Sequence, residues 1–127
     1  MLTLGHFFAI GLGAALGAIS RWLLGLWLNQ SHAALPWGTL AANLIGGYLI
    51  GVALGAISLY PDVPDWLKLT ITTGFLGGLT TFSTFSAETV GLLERGAYVE
   101  AFGYAAVSLI GTLTLTAMGL ATMHALR

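Results

Sequence analysis

Residues 72–89 read TTGFLGGLTTFSTFSAET and form a polar, glycine-rich segment in a chain that is otherwise strongly apolar. From Thr80 to Ser86 there are five hydroxyl side chains and two phenylalanines, directly after the pair Gly77 and Gly78. Glycine has a low helix propensity, and threonine hydroxyls compete for the backbone hydrogen bonds of a helix. The segment therefore predicts an interrupted helix, with the break at residues 77–80.

The composition of the whole chain is typical of a membrane protein. Of its 127 residues, 57% are hydrophobic and 7% are charged, whereas about a quarter of the residues of soluble domains are charged. The formal net charge of −1 indicates no nucleic-acid partner, and the lack of cysteine excludes disulfides and thiolate metal sites. We expect an all-α integral membrane protein of the cell membrane.

Four apolar segments are long enough to span a bilayer, which requires about 20 residues. The predicted spans are residues 4–28, 37–59, 66–93 and 98–126, and together they form a single membrane domain over residues 1–127. The connections are short, so neighbouring spans should be antiparallel. The third span contains the interruption, which would then lie at mid-membrane.

The loops carry no charge bias that would orient the chain. Membrane proteins are oriented by the lysine and arginine excess of one side, yet four spans place Lys68 and Arg127 on one side and Arg95 and Arg21 on the other. Insertion in both directions makes an antiparallel, dual-topology homodimer possible. Glycines at positions 47, 51 and 55 allow close helix contact, either within the chain or between two copies.

Two polar side chains lie inside the first two spans, where each needs a partner. Arg21 could extend along its flexible stem to the membrane interface, draw anions to a pore mouth, or pair with a neighbouring helix. Asn43 lies about 9 Å into the second span at 1.5 Å per residue. Its amide offers two donors, which could join helices or face a permeating anion.

The fourth span carries a stripe of hydroxyl groups at every fourth residue: Tyr104, Ser108, Thr112 and Thr116. Residues four apart share a helix face, so the stripe is about 18 Å long. Single hydroxyls in membrane helices usually bond back to their own helix. A stripe confined to one face favours a lined pathway instead.

The interrupted third span adds aromatic, acidic and backbone groups. Phe82 and Phe85 share a face, and they either pack into the core or turn their positively polarised ring edges toward an anion. Glu88 continues that face one turn later, as a paired or solvated carboxylate or as a charge at the pore. The carbonyls of unwound backbone can coordinate a cation.

Three segments resemble the Fluc (CrcB) family of microbial fluoride channels: GAISR at 17–21, GTLAANLIGGYLIG at 38–51 and GFLGGLTTFSTFSAET at 74–89. The resemblance covers nearly the whole chain. It implies an antiparallel, dual-topology homodimer with two pores. Each pore would carry fluoride passively out of the cell and so relieve fluoride toxicity.

The resemblance also implies roles for individual residues. The backbone carbonyls of Gly77 and Thr80 would hold a central sodium ion at the dimer interface. The fluoride path would comprise Asn43, Phe82, Phe85, Tyr104, Ser108, Thr112 and Thr116, with threonine at 112 where the family pattern has serine. Arg21 and Glu88 would be charges of the pore entrance or of the structure.

The sequence also bears on three other functional classes: an enzyme, an exporter and a scaffold. No nucleophile adjoins a base and the three histidines are scattered, so an enzyme is not expected. A dual-topology exporter of small molecules or cations would need a membrane carboxylate, and the first two spans have no Asp or Glu. A non-conducting membrane scaffold would need no aligned hydroxyl stripe.

Overall fold

The computed structural model describes residues 3–29 and 35–127, and the described chain contains helices and no strands. Part of the predicted loop between the first two spans, residues 30–34, lies outside the described residues. The helices are α1 (Leu4–Leu28), α2 (Trp37–Leu59), α3 (Asp65–Leu69), α4 (Gly77–Leu79), α5 (Phe82–Glu94) and α6 (Tyr98–Ala125), with a π-helical segment (Thr70–Leu76) between α3 and α4.

Three of these helices, α1, α2 and α6, are long and apolar enough to cross a membrane. Their bounds agree with the predicted first, second and fourth spans to within one residue. The side-chain oxygen of Thr3 accepts a hydrogen bond from the His6 amide at 3.1 Å and caps the start of α1. The chain is a multi-pass membrane protein.

The third predicted span is divided into two helical runs. The first run comprises α3, the π-helical segment and α4, and the second run is α5. Between them Thr80 and Thr81 are extended, with φ and ψ of −90° and 157° at Thr80 and −156° and 122° at Thr81. The predicted interruption is therefore present.

The position of the break corrects the prediction. Gly77 and Gly78 remain helical, and the chain leaves the helix only at Thr80 and Thr81. Gly78 stays in the helix because it lies directly against the backbone of Ala14 in α1, where a side chain would not fit. Low helix propensity at Gly78 is thus overridden by close packing.

The glycines of α2 serve contacts within the chain. The most extensive helix pair is α2 with α6. Gly51 lies against the carbonyl of Thr116, and Gly55 lies against the side chain of Met123. The hydroxyls of Tyr48 and Thr122 join the same two helices by a hydrogen bond of 2.9 Å. These contacts are internal packing, one of the two interpretations of this glycine series.

Helix α1 packs against the first run of the interrupted helix. Gly13 and Gly17 of α1 face the backbone of the π-helical segment, so the two helices approach closely. The opposite face of α1 and much of α6 expose large apolar side chains, among them Leu12, Leu16, Phe102 and Leu109. Such faces suit contact with lipid.

Candidate functional site

The helix break is held in place by Asn43 of α2. The Asn43 Oδ1 atom accepts a hydrogen bond from the Thr81 amide at 2.8 Å, and its Nδ2 donates to the Thr81 carbonyl at 3.1 Å. Thr81 also caps α5, because its Oγ1 accepts from the amide of Thr84 at 3.1 Å. Asn43 therefore joins two helices, and one of its two Nδ2 protons is left over for another acceptor.

These contacts leave two backbone carbonyls without the amide donors that they would have in a continuous helix. In a continuous α-helix the carbonyl of Gly77 would accept from the amide of Thr81, and that of Thr80 from the amide of Thr84. Both amides bond elsewhere, to Asn43 and to the Thr81 hydroxyl. Gly77 and Thr80 both line a cavity. Carbonyl oxygens of this kind suit a cation, so the local structure fits the predicted metal position.

Arg21 lies beside the same break. Its Nε donates to the carbonyl of Gly78 at 3.2 Å, so the side chain links α1 to the last turn of α4. A positive charge is favourable where a helix ends and its last carbonyls lack amide donors. Of the interpretations for Arg21, pairing with a neighbouring helix is the one that the structure contains.

A cavity of about 440 Å³, here called the central cavity, lies between α2, the first helical run, α5 and α6. Its lining includes Asn43, Gly77, Thr80, Phe82, Phe85, Ser108, Thr112 and Thr116. It therefore brings together most of the predicted pathway and both predicted metal ligands. Tyr104, the remaining member of the hydroxyl stripe, is buried outside this lining.

The hydroxyls of the stripe differ in their hydrogen bonding. Thr116 Oγ1 lies 2.8 Å from the Gly47 carbonyl and 3.0 Å from the Thr112 carbonyl, so it contributes to the packing of α2 on α6. Ser108 is buried, and its hydroxyl has no hydrogen-bond partner among residues 3–29 and 35–127. A buried hydroxyl without a partner is costly and needs a reason.

The two phenylalanines have different surroundings. Phe82 is 79% exposed on the surface of the chain, so it does not pack into the protomer core. Phe85 is half-buried, and its ring centre lies 5.6 Å from that of Phe82 and 5.3 Å from that of Tyr104. Phe85 thus links the exposed ring to the core cluster that contains Tyr104.

Glu88 accepts two hydrogen bonds from neighbouring helices. Thr39 Oγ1 of α2 donates to its Oε2 at 3.0 Å, and the Tyr104 hydroxyl of α6 donates to its Oε1 at 3.0 Å. The sequence interpretation missed Thr39. The signal was present, because Thr39 precedes Asn43 by four residues and therefore shares its helix face.

A second cavity of about 590 Å³, here called the outer cavity, adjoins Glu88. Its polar lining residues are Asn29, Ser83, Thr84, Glu88 and Arg95. Glu88, Tyr104 and Phe85 are in successive contact, and Phe85 lines the central cavity. The two cavities therefore lie at either end of one row of polar and aromatic side chains.

Comparison with known proteins shows the family of the chain. The family model described as "CrcB-like protein, Camphor Resistance (CrcB)" matches residues 8–120. A protein of Bordetella petrii named fluoride-specific ion channel FluC is 66% identical over 122 residues, which are 96% of this chain and 94% of the relative. A protein of Tolumonas auensis with the same name is 54% identical over 119 residues, 94% of each chain.

A protein of Bordetella pertussis, also named fluoride-specific ion channel FluC, is 60% identical over 121 residues. These residues cover 95% of this chain and 93% of the relative. The match therefore extends over every helix described above. The chain belongs to the CrcB family.

Proposed function

We propose that this protein is a passive, fluoride-selective ion channel that exports fluoride across the cell membrane. The observation that carries the proposal is Ser108, which lines the central cavity as Asn43 does and whose buried hydroxyl bonds to no group of the described residues. A donor kept without a protein partner is suited to an anion in transit. The names of the relatives at 54–66% identity support fluoride as that anion.

The chemistry of the cavity suits a small, strongly hydrated anion. Fluoride can enter a narrow path only if donors replace its water, and Ser108, Thr112 and the spare Nδ2 proton of Asn43 are such donors. The ring edges of Phe82 and Phe85 add weak positive potential. Weak contacts of this kind let the ion leave again, which conduction requires.

The active assembly in this proposal is an antiparallel, dual-topology homodimer of four-span chains, with two pores. Residues 65–94 form the third span, and their break lies at mid-membrane. Two observations support this assembly: the central cavity is open at the surface of one chain, and the Phe82 ring beside it is 79% exposed. A second copy would cover both, and the balanced loop charges permit opposite insertion.

We also propose that sodium binds at the break, through the carbonyls of Gly77 and Thr80 at the dimer interface. The support is that both carbonyls have lost their usual amide donors and line the central cavity. The bound ion would contribute positive charge and hold the two copies together. A stability measurement tests sodium binding. Replacing sodium with a large organic cation should lower the thermal unfolding midpoint of the detergent-solubilised protein.

The deciding experiment is fluoride efflux from liposomes that contain the purified protein. A channel should release fluoride rapidly down its gradient and leave chloride inside. No efflux from well-folded protein would contradict the proposal and favour a scaffold. Proton-coupled movement of an organic cation without fluoride efflux would favour an exporter instead.

A further inference from the structure

The outer cavity is lined by one positively charged side chain among the described residues, that of Arg95. Arg95 follows the last residue of α5, and its backbone amide closes the helix by bonding to the Gly91 carbonyl at 3.2 Å. Its side chain turns back over Gly91 and lines the outer cavity. If Gly91 carried a Cβ atom, an Nη atom of Arg95 would lie 4.0 Å from it.

Among the described residues that line the outer cavity, Arg95 is the cationic side chain. Within residues 3–29 and 35–127 it takes part in no ion pair, and the neighbouring Glu94 does not line the cavity. Arg21, by contrast, donates to the carbonyl of Gly78. The guanidinium of Arg95 is thus exposed to whatever ion enters the outer cavity.

The same cavity contains a carboxylate that should repel anions. Glu88 lies seven residues before Arg95 on α5, about 10 Å along the helix axis at 1.5 Å per residue. Its two oxygens accept hydrogen bonds from Thr39 and Tyr104, and hydroxyl donors do not cancel its charge. Without a cation, the potential in this cavity would oppose an anion.

We propose that Arg95 is an anion-collecting residue at the mouth of the pathway. Its charge offsets that of Glu88 and raises the local concentration of small inorganic anions in the outer cavity. The effect is electrostatic attraction and not tight coordination, since Arg95 is an exposed residue. The inference rests on the proposed channel function, and it concerns only the rate at which anions arrive.

The test compares fluoride efflux of the wild type, Arg95→Gln and Arg95→Lys in liposomes. It uses ionic strengths of about 0.01 M and about 1 M, set with an isethionate salt, where the screening length is about 30 Å and about 3 Å. Arg95→Gln should reduce efflux about two- to fivefold at low ionic strength and leave it near wild type at high ionic strength. Arg95→Lys should keep most of the low-salt rate.

Arg127→Gln is the matched control, because it removes an exposed arginine at the far end of α6. An equal low-salt loss in this variant would assign the effect to net charge and overturn the inference. Equal efflux of Arg95→Gln and wild type at low salt would also overturn it, as would a loss that persists at high salt. A wild type without efflux would instead contradict the proposed function itself.

Discussion

The side-chain amide of Asn43 and the backbone of Thr81 exchange two hydrogen bonds, of 2.8 Å and 3.1 Å, across 38 residues of sequence. The pair takes the place of the helical hydrogen bonds that the chain gives up where it becomes extended. It thereby fixes the break relative to α2. It also engages the Thr81 amide, which in a continuous helix would bond to the Gly77 carbonyl. The same contact therefore sets the path of the chain and leaves that carbonyl as a candidate cation ligand.

Replacing Asn43 with Ala should destabilise the protein. The change leaves the amide and carbonyl of Thr81 without their partner, at a cost of about 1–3 kcal/mol for each buried group that stays unpaired. The measurement is thermal unfolding of the detergent-solubilised protein. Ser58→Ala, at an exposed position of α2, is the control, and equal midpoints for the two variants would contradict the structural role of Asn43.

Replacing Ser108 with Ala should leave the stability unchanged or slightly higher, while fluoride efflux falls about fivefold or more. The hydroxyl has no partner in the part of the chain that the structure describes, so its removal leaves no group there unpaired. A lost ion contact of about 1 kcal/mol corresponds to that factor. Thr116→Val is the comparison. It should lower stability by about 1 kcal/mol, because its hydroxyl bonds to the Gly47 carbonyl. Undiminished efflux in Ser108→Ala would remove Ser108 from the pathway.

Replacing Phe82 with Ile should reduce fluoride efflux and leave the assembly intact. The ring is 79% exposed in one chain, so the protomer does not depend on it for packing. Isoleucine keeps an apolar side chain for the contact with the second copy, whereas it offers no polarised ring edge. Efflux and the molecular mass in detergent are the two measurements. Phe102→Ile is the control, because Phe102 is 69% exposed on α6 outside the central cavity. An equal loss of efflux in both variants would contradict a specific role for Phe82.

Replacing Gly51 with Ala should destabilise the contact of α2 with α6 by about 1–3 kcal/mol, because a methyl group there meets the Thr116 carbonyl. Gly103→Ala on α6 is the control. No atom lies within 4 Å of its would-be methyl group, and the higher helix propensity of alanine should add about 0.5–1 kcal/mol. Unfolding midpoints test both changes, and a Gly51→Ala protein as stable as Gly103→Ala would contradict the close packing.

Much of the helical architecture follows from local sequence. The bounds of α1 and α2 coincide with the predicted spans, because long apolar runs ended by polar or proline-containing segments determine helix length directly. The alignment of Ser108, Thr112 and Thr116 along one cavity also follows from a local rule, the four-residue repeat of a helix face. An interrupted third helix was predictable from its glycines and threonines for the same reason.

The exact place of that interruption, by contrast, required the tertiary structure. Gly78 stays helical because α1 packs on it, and the chain opens at Thr80 and Thr81 because Asn43 accepts and donates there. Neither partner is near in sequence, so no local propensity could identify them.

The sequence by itself determined that this is a helical membrane protein with a hydroxyl stripe and an interruption in its third span, since these features depend on composition and local periodicity. The tertiary structure decided what each polar group meets. It paired Glu88 with Thr39 and Tyr104, directed Arg21 to a carbonyl, and left Ser108 without a partner. These outcomes depend on contacts between helices, because hydrogen-bond partners are fixed only when the helix faces come together.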